Sequence, residues 1–155
     1  MTVLYDGTVE GFLSLIYEVY YQKLQVNAIL KKMPQTLMFE RVHEIFTDAL
    51  KSQKVLQALQ KHFTKEHQKI IFSAFLCDTY AYEMALLDYI KIGFKNPKEL
   101  NNINHPSIFY LQNLEKIVGN GISKSTFYCY THSFKLVKEY IKLQYKRDDI
   151  FLLEL

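Results

Sequence analysis

Apolar positions along the chain fall into a few distinct patterns, and each predicts an element. Val3, Leu4 and Tyr5 form a short apolar lead-in that predicts a strand over residues 2–5. From Thr8 to about Gln22, Phe12, Leu13, Leu15, Ile16, Val19 and Tyr20 recur at three- and four-residue spacings, the signature of one apolar helix face. Thr8 is placed to cap that helix, and Glu10 falls in its first turn, where the helix dipole favours a carboxylate. Gly11 is a poor helix former in the same turn, which implies a close approach to it. Residues 24–46 fit neither period. Ala28-Ile29-Leu30 and Leu37-Met38-Phe39 suit short edge strands or an irregular crossover as well as they suit helix.

The second half reads as helix throughout. Thr47-Asp48 caps a helix to about His62, with Ala49, Val55, Leu56, Leu59 and Phe63 on its apolar side. Thr64 caps the next, whose Ile70, Ile71, Phe72, Ala74, Phe75 and Leu76 make it too apolar for a surface helix and place it centrally. A helix from about Tyr80 to Ile92 turns Met84, Leu87 and Ile90 inward and ends with Gly93 as its C′ residue. Asn96-Pro97 and residues 101–104 break the chain, and His105-Pro106 opens a helix through Ile108, Leu111, Leu114, Ile117 and Val118 that closes at Gly119 and Gly121. A last helix from Ser123 carries Phe127, Tyr130, Phe134, Val137 and Ile141, with a terminal strand or apolar tail over residues 150–153. The expected fold is mainly α: a single-domain bundle of about six helices over residues 1–155, with a small β-sheet including the N-terminal strand.

Composition changes this picture little. With 155 residues, 49% hydrophobic and 23% charged, the chain suits one domain with a real core. A net charge of +3 permits nucleic acid as a partner without requiring it. The opening residues lack a basic leader and no apolar run is long enough to span a bilayer. A cytoplasmic protein with Cys77 and Cys129 as free thiols is expected, away from any membrane.

Candidate chemistry is sparse. His62 and His67 stand five apart with the Thr64 cap between them, and His43, His105 and His132 are scattered. With no His-Glu-x-x-His and no Cys-x-x-Cys, no metal is expected, and a surface or capping role suits each histidine. Cys77 reads as a small hydrophobe. Glu83 and Asp88 do not share a helical face and read as a solvated edge. Neither a phosphate loop nor a cysteine triad for an iron–sulfur cluster is present, and no cofactor or catalytic residue is assigned. Asp6-Gly7 reads as a side-chain-capped turn.

Basic charge gathers late. Lys116, Lys124, Lys135, Lys138, Lys142, Lys146 and Arg147 are answered between them only by Glu115 and Glu139, before Asp148 and Asp149. Lys135, Lys138 and Lys142 share one helical face, and Tyr128, Tyr130, Tyr140 and Tyr145 are interleaved for stacking on bases. The same pattern is also that of an ordinary solvated face, and two arginines in the whole chain weaken any reading of specific base recognition.

Tyr5-Asp6-Gly7 with Gly11-Phe12-Leu13 now takes its place among several landmarks in order. These are Thr47-Asp48 before an amphipathic helix, Phe75-Leu76, Tyr89-Ile90 ahead of Gly93-Phe94, and His105-Pro106 before Leu111, Leu114 and Val118. Together they resemble a bacterial domain-of-unknown-function family linked to DNA metabolism and repair, over roughly residues 3–118. The resemblance implies a neighbouring radical-SAM protein as partner, and relatives fused to a uracil-DNA-glycosylase-like domain imply contact with DNA. Residues 119–155 depart from the family, whose Gly-Phe-x-Arg-Phe element is missing. The implied function is an accessory protein of DNA metabolism that binds a radical-SAM partner, nucleic acid, or both. Two alternatives stand beside it. One is a base-processing repair enzyme. The other is a helix-turn-helix regulator, because residues 121–130 look like the turn and recognition helix of tetracycline-repressor-type proteins. The sequence sets no oligomeric state.

Overall fold

Strand β1 (Thr2–Leu4) lies at the centre of a three-stranded parallel sheet, in a computed structural model that describes residues 1–33, 41–77 and 80–119. Helix α1 (Val9–Tyr21) follows, then β2 (Ala28–Leu30) and β3 (Val42–Glu44), in the spatial order β2-β1-β3. Val3 stands between Ile29 and His43 in register and is fully buried. The ladder extends past the strands, with Tyr5 N–H donating to Leu30 O at 3.0 Å and Ile45 N–H to Leu4 O at 2.9 Å. The N-terminal strand therefore does join a small sheet. Of the two unreadable apolar pieces, Ala28-Ile29-Leu30 is one of its two outer strands among the described residues, while Leu37-Met38-Phe39 lies outside them.

The expected helix boundaries hold within a few residues. Thr8 caps α1 by accepting from Gly11 N–H at 2.9 Å. The other end of α1 carries no glycine: Lys23 takes a left-handed φ of 52°, and Leu24 N–H reaches Val19 O at 3.1 Å, which closes a Schellman turn. Helix α2 (Ala49–His62) buries Ser52, Val55 and Leu59. α3 (Lys65–Phe75), capped by Thr64, buries Ile71, Phe72, Ala74 and Phe75, as its apolar run implies. α4 (Glu83–Lys95), a 3-10 turn (Pro97–Asn101) and α5 (Pro106–Gly119) complete the elements. The described residues thus hold five α-helices. The expected last helix from Ser123 and the strand at residues 150–153 lie outside them.

The chain divides into two compact units, Met1–Lys61 and the part from His62 onward. In the first, the buried residues run from Val3 and Tyr5 through Val9, Phe12, Leu13, Ile16 and Val19 to Ile29, Ile45 and Leu59. In the second, α5 packs on α3 and α4, and the 3-10 turn folds back on α4.

Several expectations are corrected. Gly93 does not end its helix; α4 runs two residues further and Gly93 is buried inside it. A side chain there would overlap the Phe63 ring, so the glycine serves packing, and the helix stops instead at Asn96, extended ahead of Pro97. α4 begins at Glu83 rather than Tyr80, and its buried residues are Leu86, Leu87, Tyr89 and Ile90, with Met84 half-buried. Tyr20 is exposed instead of sharing the apolar face of α1.

Candidate functional site at the carboxyl end of the sheet

In open parallel sheets, ligands sit outside the carboxyl ends of the strands, where successive connections leave a central strand to opposite sides. Here that place lies beyond Leu4 of β1 and Glu44 of β3, and it is occupied by Asp6-Gly7-Thr8 and Thr47-Asp48. Gly7 takes a φ of +83°, a conformation that side chains resist, and so turns the chain sharply into α1. The turn returns the Asp6 carboxylate over the start of α1. Oδ1 accepts from Thr8 N–H at 2.9 Å and from the Thr8 hydroxyl at 2.7 Å, while Oδ2 accepts from the Thr47 hydroxyl.

These bonds decide the acidity of Asp6. Partial burial alone would raise its pKa, but the hydrogen bonds from Thr47 and Thr8 outweigh it and hold the carboxyl below its usual range. They also explain Gly11. An added Cβ at that position would run into Asp6 Oδ1 and lie 2.9 Å from its Cγ. The chain's own carboxylate therefore occupies the α1 amino terminus, the seat an external anion would otherwise take.

A second bracket lies one turn along α1. Ser14, fully buried, accepts from Asp48 N–H at 3.0 Å, and its hydroxyl lies 2.8 Å from Glu10 O and 3.2 Å from Asp48 O. Asp48 is the actual cap of α2, its Oδ1 accepting from Leu50 N–H at 2.9 Å and Lys51 N–H at 3.1 Å. Thr47 is thereby free to serve Asp6. Further along, Glu18 of α1 pairs with Lys51 of α2, and its hydrogen bond raises the Lys51 pKa. Beside these residues an open cleft of about 310 Å³ is lined by Glu18, Gln22, His43, Phe46, Thr47 and Lys51.

Of the residues singled out in the sequence, the structure gathers Tyr5, Asp6, Gly7, Gly11 and Phe12 at this end. Tyr5 and Phe12 meet edge to face at 5.7 Å, and Leu13 is fully buried. Lys124, Lys135, Lys138, Lys142, Lys146 and Arg147 lie outside the described residues, as do Cys129, His132 and the helix-turn-helix candidate at residues 121–130. Thr47 as partner of Asp6 and Ser14 as a cross-link were missed. A lone serine on an otherwise apolar helix face was the available signal for the second; nothing in the sequence joins Thr47 to Asp6 across forty residues.

The histidines divide. His105 Nδ1 accepts from Ser107 N–H at 3.2 Å, a capping role, and His62 is exposed with its ring edge on Phe94. His67 corrects the expectation of a surface or capping side chain: it is only 8% exposed, with Nε2 3.4 Å from Asn101 Oδ1. Its Nδ1 and the nearby Tyr89 hydroxyl are buried without a hydrogen-bond partner among the described residues. Cys77 is buried, and Asp88 is half-buried with the Ser107 hydroxyl donating to it at 3.2 Å rather than lying on a purely solvated edge. Among the described residues, no group of three or more histidine, cysteine or carboxylate side chains is placed to hold a metal ion, and no helix is long and apolar enough to cross a membrane.

Compared with protein-family models, curated proteins and solved structures, the chain matches none.

Proposed function

We propose that this chain is a non-catalytic accessory protein of DNA metabolism that binds nucleic acid, a radical-SAM protein, or both. The supporting observation is the state of the residues that carry the family resemblance. Asp6 spends both carboxylate oxygens on Thr8 and Thr47 and is more acidic than an ordinary aspartate. A general base for neutral pH needs the opposite: a pKa near the working pH. Gly7 and Gly11 are explained by the turn and by the carboxylate that it positions. The motif therefore suits an architectural bracket, and function falls to binding surfaces.

Resemblance supplies the partner classes, and the late lysines supply the charge for nucleic acid. Binding of the full chain to DNA is expected to weaken steeply with salt, because ammonium–phosphate contacts release counterions. Changing Lys135, Lys138 and Lys142 to Glu abolishes it in this reading. Unchanged binding in that variant removes the late face from the account. Recovery of a radical-SAM protein from nuclease-treated host extract supports the adaptor role. Release of uracil from DNA by the purified chain would instead make it a base-processing enzyme, and sequence-selective binding that depends on Lys124, Ser125 and Thr126 would make it a regulator.

A further inference from the structure

We propose that the unit Met1–Lys61 carries a contact surface for single-stranded nucleic acid, formed by the solvent stripe of α2 and the stacked Tyr17–Tyr21 pair of α1. This deepens the reading above and rests on it. Between Ala49 and His62 the chain has Lys51, Lys54 and Lys61 and no Asp or Glu. The exposed positions Leu50, Gln53, Lys54, Gln57, Gln60 and Lys61 recur at three- and four-residue spacing, so they form one stripe. Glu18 answers one of the three lysines, which leaves the stripe an excess of positive charge.

An aromatic platform adjoins it. The rings of Tyr17 and Tyr21, one helical turn apart, are stacked at 4.2 Å with 16° between their planes, and Tyr21 is 71% exposed. The Lys51 and Lys54 ammonium groups lie 5.6 and 5.9 Å from the centre of the Tyr17 ring, so lysines and rings belong to a single surface. Each part matches one part of a polynucleotide: ammonium groups the phosphates, glutamine amides the sugar and base edges, an exposed ring an unstacked base. A duplex hides its base faces, which is why the platform favours a single strand. A protein partner fits less well, since lysine is depleted from the buried centres of protein interfaces. An acidic protein remains the competing occupant that experiment must separate.

Fluorescence anisotropy with labelled oligo-dT and oligo-rU, using the full chain, tests this. Lys54→Glu with Lys61→Glu is expected to weaken binding at low salt by about tenfold or more and to flatten the salt dependence by about 0.7 per ammonium group. Tyr21→Ala is expected to weaken it about tenfold, and Tyr21→Phe to keep it, because the loss is of stacking. All three positions are exposed, and circular dichroism checks that each variant folds. If these variants bind as wild type does while Lys135, Lys138 and Lys142 to Glu abolishes binding, this surface is overturned and the proposed function stands. If the wild-type chain binds neither oligonucleotide, this surface and the nucleic-acid branch of the proposed function both fall, and only the radical-SAM branch stands. Equally tight binding of polyglutamate overturns the proposal in favour of an acidic protein.

Discussion

At the scale of single residues, Asp6 and Gly11 form a matched pair. In a helix, glycine costs roughly 1 kcal/mol relative to alanine, so Gly11→Ala ought to stabilise α1. The Asp6 carboxylate reverses the sign, because the new methyl group meets Oδ1. Urea denaturation is expected to show Gly11→Ala less stable than wild type by about 1–3 kcal/mol. In an Asp6→Ala background the same change becomes neutral or stabilising, and that coupling is what a double-mutant cycle reads. Asp6→Ala itself costs about 1 kcal/mol at neutral pH, a low figure because the carboxylate is largely exposed and water screens it. Since the folded carboxyl is more acidic than the unfolded one, this contribution is complete above the ordinary aspartate range. It drains away as the pH falls through the lower, folded value. The stability difference between wild type and Asp6→Ala should therefore persist from neutral pH to about pH 5 and vanish in stronger acid. Tyr89 gives the opposite kind of residue: burial raises its pKa and its hydroxyl has no hydrogen-bond partner among the described residues. Tyr89→Phe is expected to raise stability by up to about 1 kcal/mol, read from the denaturation midpoint.

At the scale of elements, local chemistry shows which signals a sequence carries. Thr8, Thr64 and the Thr47-Asp48 pair marked three helix starts within a residue, because a cap needs only a hydroxyl or carboxylate beside its own amides. Gly93 misled for the converse reason. A glycine near a helix end looks the same whether it serves a left-handed turn or yields space to a ring, and only Phe63 decides between them. Gly93→Ala is expected to destabilise the chain by about 1–3 kcal/mol, despite the gain in helix propensity, with thermal unfolding as the measure. Replacing Phe63 by Leu in the same chain should recover part of that loss. β3 was not legible at all: Val42-His43-Glu44 has no apolar pattern, and its place in the sheet comes from pairing with β1. Lys23 at the end of α1 was equally silent, since nothing about a lysine announces a left-handed φ. The Asp6 turn could be read from neighbours in sequence, but its closure by Thr47 could not.

At the scale of the whole molecule, the proposed reading places structure and function in different stretches of the chain. A small parallel sheet, in the unit Met1–Lys61, has its carboxyl end closed by Asp6, Thr47, Ser14 and Asp48. Asp6, Gly11, Thr47 and Asp48 serve that closure, and the basic and aromatic side chains proposed to meet a polynucleotide stand elsewhere in the sequence. One experiment tests this division most directly: an oligonucleotide titration of the full chain at several salt concentrations, wild type beside Asp6→Ala. Affinity is predicted to fall with salt along the same slope in both proteins, offset little or not at all. Absence of binding at every salt concentration, or its loss in an Asp6→Ala protein that remains folded, would contradict the account.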